Sequence, residues 1–361
     1  MILIWRMSVL DAGSRSMTNA HAWRLSDLSA VPKNGLSVMS TFCCGGGSSM
    51  GYKRAGYTIV AACDIDPEMA HHYKLNLSPP LFYRCPVKDL LSVDLPDHLY
   101  SLDILDGSPP CSTFSTSGLR DKAWGKRKHF REGQAAQVLD DLFFDFLDVV
   151  ERLRPRAVIA ENVRGMIIGK AKGYTKLIMQ RFKSIGYRPQ LFLINAADCG
   201  VPQSRERVFF CALRDDQPHR RLTIQPNVPH VSASDAISDL KDQHLQPETK
   251  PSGVDFKWWH LTEPGSSYDK AVKTTGKTKL FSHAKLHPNK PSPTLTTKAF
   301  TFKHWSERRL LSYAEWLRFG SFPDDYQAKS ARVGQYMVGM SVPPKMTEYV
   351  ARCVGRQWLG V

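Results

Sequence analysis

The chain has 361 residues and 42% hydrophobic content, enough for two domains or one large domain carrying an insert, and too apolar for a disordered polypeptide. Lys and Arg number 49 against 34 Asp and Glu, and the resulting +15 points to a polyanionic partner, nucleic acid above all. The eight cysteines have no Cys-x-x-Cys or Cys/His spacing for a zinc site, no apolar run reaches the roughly 18 residues of a membrane span, and the thiols read as reduced groups of a cytoplasmic protein.

Residues 1–33 lack a signal-peptide core, offer alternative starts at Met7 and Met17, and read as a loosely ordered extension. Residues 36–42 are strand-like and run into a glycine-rich turn holding Gly45, Gly46 and Gly47, then a helix over 50–55. Such a strand, turn and helix brings backbone N–H groups close to a nucleotide-containing cofactor. It is not a P-loop, since Tyr52 stands at the lysine position, nor a dinucleotide fingerprint, since Met50 stands at the third glycine.

A second strand, 57–63, ends in Asp64-Ile65-Asp66-Pro67. Asp64 there can hold a ribose and Ile65 a base; alternatively Asp64 or Asp66 caps the helix over 67–76, on whose surface His71 and His72 are expected. Asp89 is a candidate third-strand group facing an adenine.

Residues 102–105 form a short buried strand that breaks at Gly107-Ser108-Pro109-Pro110 and delivers Cys111 on a stiff loop beyond the strand's carboxyl end. The thiol is either a nucleophile or a small buried apolar group. The basic stretch 120–131 reads as a mobile loop against a phosphate backbone, or as a solvated loop. A helix over 138–152 buries Leu142, Phe143, Phe146, Leu147 and Val150, and the strand 155–160 runs into Glu161. If strands 36–42, 57–63, 102–105 and 157–160 are parallel, the glycine turn, Asp64, Cys111 and Glu161 converge on one sheet edge. A helix over 174–185 and a strand over 188–194 follow; then Gln203-Ser204-Arg205-Glu206-Arg207 offers two arginines to a phosphate, a base carbonyl or structural carboxylates before a strand over 208–213.

Six motifs in order resemble the DNA (cytosine-5) methyltransferase family: Phe42 to Gly47 with Gly51; Pro110-Cys111; Glu161-Asn162-Val163; Gln203 to Arg207; Arg309 through Gly320-Ser321-Phe322-Pro323-Asp324; and Gly339-Met340-Ser341-Val342-Pro343-Pro344. The resemblance implies an α/β, Rossmann-like S-adenosylmethionine-dependent methyltransferase domain with a smaller, loop-rich target recognition domain. The large domain would cover 34–215, the recognition domain 216–291, and a return segment 292–361 would complete the large domain. It also implies that Phe42, Cys43, Gly45, Gly46, Gly47, Asp64, Ile65, Asp89, Ser341 and Val342 hold S-adenosylmethionine. Cys111 would add to C6 of a flipped-out cytosine in double-stranded DNA, Glu161 would act on N3, and Arg207, supported by Arg205, would steady O2. A separate restriction endonuclease and a monomer on DNA are the implied partner and state.

Cys44 at the first glycine of the turn, Ser112 after the nucleophile and Met340 near the end depart from the family pattern. The competing readings are a tRNA cytosine-5 methyltransferase of the same family, a non-catalytic DNA-binding protein that keeps the fold, and a pyrimidine-nucleotide methylase.

Overall fold

The computed structural model describes residues 19–110, 127–128, 137–138, 141–169, 171–218, 220–240, 258–273 and 283–361. Its centre is a seven-stranded sheet of β1 (Ser37–Thr41), β2 (Thr58–Cys63), β3 (Leu81–Tyr83), β4 (Ile104–Gly107), β5 (Ala157–Val163), β6 (Tyr187–Asn195) and β7 (Glu206–Arg214). The order across the sheet is β3-β2-β1-β4-β5-β7-β6. β1 to β5 pair in parallel, and β7 lies antiparallel between β5 and β6.

The central strands are covered on both faces, which is why they read as near-continuous apolar runs: Val38, Met39, Ile104, Leu105 and Val158 are all fully buried. The chain lays β2 and β3 to one side of β1, then crosses to β4 on the other. The carboxyl ends of β1 and β4 therefore flank a reversal of strand order, where open parallel sheets leave a crevice for ligands.

One face of the sheet carries α1 (Gly47–Arg54) and the late helix α7 (Pro344–Val354), with Tyr52, Met346 and Val350 packed on Val38, Ile159 and Phe209. The other carries α3 (Leu142–Leu153) and α4 (Ala171–Ser184), with Phe146, Leu147, Ile178 and Phe182 packed on Met39, Leu105 and Val158. A third apolar cluster joins α2 (Pro67–Leu77) to α5 (Tyr313–Phe319) and α6 (Ala331–Met340) through Tyr73, Trp316, Phe319 and Met337. α5 starts with a reciprocal cap between Ser312 and Glu315, so two otherwise unpaired N–H groups are satisfied.

Several boundaries differ from the sequence expectation. Gln137–Val138 pairs antiparallel with Arg127–Lys128, so α3 begins only at Leu142. β5 continues to Val163 and β7 starts at Glu206, so Glu161 and Arg207 sit within strands rather than beyond them. His72 is buried, not superficial: Nδ1 meets the Glu68 carbonyl at 2.6 Å and Nε2 accepts from the Lys329 amide at 2.9 Å.

The N-terminal expectation also needs correction, because residues 19–33 belong to the folded body. Trp23 is buried and donates from Nε1 to the Ser321 carbonyl at 3.0 Å, its own carbonyl accepts from the Asp324 amide at 2.8 Å, and Leu28 joins the third cluster. The aromatic anchor outweighs the polar composition around it.

Within 258–304 a small unit forms around Trp259, whose Nε1 donates to the His304 carbonyl at 3.1 Å. Ala284–Lys285 pairs with Phe302–Lys303, so this unit draws on chain from both sides of residue 291. Among the described residues no helix is long and apolar enough to cross a membrane.

Candidate active site

After β1 the backbone enters an unusual turn. Phe42 (φ 51°) and Cys44 (φ 46°) both lie in the left-handed region that disfavours side chains, and Gly46 (φ 81°) caps α1. What holds this turn is Asp64: Oδ2 accepts from the Cys44 amide at 2.8 Å and Oδ1 from the Asp66 amide at 2.9 Å. The two readings of the acidic pair thereby separate. Asp66 is the cap of α2, accepting from the Glu68 and Met69 amides, while Asp64 ties the end of β2 to the turn after β1. Burial pushes the Asp64 carboxyl up to about 6, against the pull of its backbone donors. Ile65, beside it, is half-buried.

The glycines serve a close approach of protein to protein. A Cβ on Gly47 would stand 2.1 Å from the Val342 carbonyl oxygen, and one on Gly46 would stand 2.4 Å from Leu77 Cδ1. Gly45 lies under Ser341 and Tyr326, and its carbonyl accepts from Tyr326 Oη at 2.7 Å. The turn and the segment Ser341-Val342 are thus one surface. Ser341 Oγ is buried there without a hydrogen-bond partner among the described residues. Cys43 is buried and its thiol is pushed far up by desolvation; the Cys44 thiol is raised to about 12, with Sγ 3.6 Å from Met69 Sδ.

After β3, Cys85 is the group that returns to this edge: its carbonyl accepts from Cys63 Sγ at 3.5 Å. Asp89 lies further along, on the short 3-10 turn Val87–Leu91, which is anchored by Val87 and Leu90 in the core beneath α3. Asp89 thus follows β3 by six residues, in the first turn of that 3-10 helix.

On the other side of the crevice, β4 leads through Gly107 and Ser108 to Pro109 and Pro110. Cys111, Ser112 and most of the basic stretch 120–131 lie outside the described residues. The approach to Cys111 is fixed by Asn162, which is buried and donates from Nδ2 to the Pro109 carbonyl at 3.0 Å. The sequence motif Glu161-Asn162-Val163 contains this residue without giving it a role; its position next to Glu161 in a strand, facing the opposite way, was the available signal.

Glu161 and Arg207 stand on adjacent antiparallel strands, with Glu161 opposite Phe209 and Val163 opposite Arg207. Arg207 Nε is 2.8 Å from Glu161 Oε1, and Nη1 donates to the Glu206 carbonyl at 2.8 Å. Both side chains are largely buried, at 14% and 12% exposure, and desolvation lowers the Arg207 guanidinium against the pull of Glu161.

Arg205 goes elsewhere. Its buried guanidinium donates to the Leu295 carbonyl (Nη1, 3.0 Å) and to the Gly339 carbonyl (Nη2, 3.0 Å), clamping the return segment and the end of α6 to β7. The expectation that it flanks Arg207 at a base gives way to this clamp.

Beneath both sides lies Asp106 in β4, buried without a cation. Ser40 Oγ donates to Oδ2 at 2.8 Å and Tyr52 Oη to Oδ1 at 3.1 Å. Burial pushes its carboxyl up to about 7 despite these donors, with Glu161 adding to the rise.

A carboxylate and a guanidinium paired at one strand end, a proline loop leading to a cysteine, and a backbone cradle across a strand-order reversal are the parts of a group-transfer site. The model of the family described as C-5 cytosine-specific DNA methylase matches residues 36–356. The chain belongs to that family. It is a DNA (cytosine-5-)-methyltransferase, and the match leaves only residues 1–35 and 357–361 outside.

Among curated relatives, the Type II methyltransferase M.DdeI of Desulfomicrobium norvegicum is 27% identical over 88% of this chain and 88% of its own length. M.AplI of Arthrospira platensis is 29% identical over 91% and 88%. The fold is shared with a DNA modification methyltransferase encoded within an E. coli prophage (TM-score 0.65, 21% identity, 90% of this chain and 99% of that one). It is also shared with Spodoptera frugiperda DNMT2 (TM-score 0.58, 17% identity, 89% and 99%).

Proposed function

We propose that this methyltransferase transfers a methyl group from S-adenosylmethionine to C5 of cytosine at a short site in duplex DNA, with the base flipped out of the stack. Its setting would be a cytoplasmic Type II restriction-modification system whose endonuclease is a separate protein, and it would act on DNA as a monomer. The observation that carries the reading is the buried Glu161–Arg207 pair beside the strand end that leads, through the Asn162-held Pro109, to Cys111.

The residues present fit the cofactor. The backbone cradle at 42–47, the Asp64 carboxylate with acceptor capacity left for a ribose hydroxyl, and the unpartnered buried Ser341 Oγ suit a nucleoside with a short charged tail. In this reading Phe42, Cys43, Gly45, Gly46 and Gly47 line the cradle, Asp64 binds the ribose, Ile65 packs on the base, and Ser341 and Val342 close the far wall. S-adenosylmethionine would supply the methyl group as an electrophile on a sulfonium.

The protein's own part is to make C5 of cytosine a nucleophile. The Cys111 thiolate adds to C6, a C6–S bond forms, and the C5–C6 π pair moves through the ring towards N3 and O2. Glu161, oriented through Oε1 by Arg207, protonates or hydrogen-bonds N3 and the exocyclic amine, and the Arg207 cation steadies O2. Removal of the C5 proton by a base, water being the simplest, lets Cys111 leave and restores the ring. A stacked duplex gives no access to C6, so the base must leave the helix. Arg205 serves as a positioning residue that fixes the start of β7.

The test is a transfer assay with purified protein, labelled S-adenosylmethionine and duplex DNA of high sequence diversity, read by bisulfite sequencing. Protected cytosines in one recurring context are expected, with Cys111→Ala abolishing them while cofactor binding persists. Absence of transfer to duplex DNA alongside transfer to tRNA would overturn the reading in favour of an RNA substrate.

A further inference from the structure

A cavity of about 570 Å³ lies away from the crevice, between the outer side of α7, the end of α1 and the segment 228–235 that leads towards the small unit. Its size is that of a small-molecule site. Five basic side chains line it, His21, Arg54, His230, Lys345 and Arg352, of which His230 is paired with Asp198 at 2.7 Å. The two carboxylates in its wall are already engaged. Glu348 is shared by Arg54 (2.6 Å) and Arg352 (2.9 Å), and Asp235 accepts from Ser232 Oγ at 2.5 Å.

Lys345 is the cation left over. Its ammonium is half-buried, it makes no ion pair with a carboxylate among the described residues, and its neighbour is an imidazole nitrogen, His21 Nδ1 at 3.3 Å. Burial, with Arg54 close by, lowers this lysine against the pull of Glu348, and burial with Lys345 lowers His21 against the pull of Asp235 and Asp239, so the cations here outweigh the carboxylates that share them. Val228, Pro229, Val231 and Tyr349 give the cavity an apolar side.

We propose that this cavity binds a phosphomonoester, its phosphate held by Lys345 with Arg352 and Arg54 and its carbon skeleton lying on the Val228–Val231 side. A dianion satisfies the unused ammonium donors and neutralises the excess charge, and guanidinium groups suit tetrahedral oxyanions. His21 precedes the family-matched region, so one wall of the cavity comes from the N-terminal segment, while the other lining residues lie within the matched region. Because 228–235 forms another wall, occupancy would tie the lead into the small unit to α7.

Calorimetric titration of the full chain with inorganic phosphate, ribose 5-phosphate and ribose tests this; none of these probes carries a base that could enter the crevice. Both phosphates should bind and ribose should not. Tighter binding of ribose 5-phosphate would identify a phosphomonoester, and equal affinity would identify free phosphate as the occupant. Lys345→Ala should weaken binding at least tenfold and Lys345→Arg should restore most of it, with melting temperatures showing that both variants fold; if Lys345→Ala does not fold, Arg352→Ala on the exposed rim should give the same weakening. Ribose binding as well as its phosphate, no binding of either phosphate, affinity indifferent to Lys345 and Arg352, or displacement of bound phosphate by duplex DNA would each overturn the proposal.

Discussion

The two sides of the crevice are built from different materials. On the cradle side, backbone meets backbone: Gly47 against the Val342 carbonyl, Gly45 against Tyr326, and a left-handed turn tied by one carboxyl to two amides. Across the crevice, charged side chains do the positioning: Glu161 with Arg207, and Arg205 on two carbonyls. The first side should be intolerant of added volume and indifferent to charge. The second should tolerate changes of shape and fail when a donor is lost.

The largest expected effect is at the arginine clamp. Arg205→Met keeps the bulk but strands the buried carbonyls of Leu295 and Gly339, a loss of about 4 kcal/mol in denaturant unfolding if each costs a typical desolvation penalty. A loss under 1 kcal/mol would erase the contrast between the sides. Next, Gly47→Ala puts a methyl group on the Val342 carbonyl and should cost about 3 kcal/mol and weaken cofactor binding; an unchanged melting curve would show that the cradle yields after all.

Asp106 lies under both sides and is expected to respond to pH. Its carboxyl holds its proton more tightly when folded, at about 7 against 3.8 ordinarily, so its stabilising contribution is complete at acid pH and is lost as pH rises through neutrality. Asp64, raised to about 6, acts in the same direction at somewhat lower pH. Asp106→Asn should therefore gain on the parent as pH rises from about 4 to 7, and stand about 2 kcal/mol better relative to it at pH 8 than at pH 5; the same difference at both would contradict the assignment. The smallest effect is at Cys44, whose left-handed backbone suits glycine: Cys44→Gly should stabilise by about 0.5 kcal/mol, relief of strain being partly offset by a more flexible unfolded chain.

Strand ends were legible in the sequence because buried parallel strands read as apolar runs and because Asp64 and Pro109-Pro110 punctuate them, whereas Glu161 proved to lie inside its strand. What stayed hidden depended on long-range contact. Nothing local distinguishes Arg205 from Arg207, since the carbonyls that claim Arg205 lie 90 and 134 residues away. Asp89 stands in a 3-10 turn six residues past the three-residue β3, a turn that no apolar run announces. His72 looked superficial because Lys329, its partner, is 257 residues away. Trp23 was set among polar residues, and its partner Ser321 belongs to a different motif.

α7 is bound to the first βα unit by contacts such as Tyr57 Oη to the Ala351 carbonyl, 294 residues apart. During synthesis the ribosome therefore makes the cradle's floor almost at the outset and its far wall almost last. A nascent chain carrying β1 to β5 has the sheet's parallel half but no closed cofactor surface. A DNA methyltransferase built this way closes the surface over its glycine turn only after nearly the whole polypeptide has emerged, and a premature stop before Ser341 is expected to yield a folded-looking fragment unable to methylate.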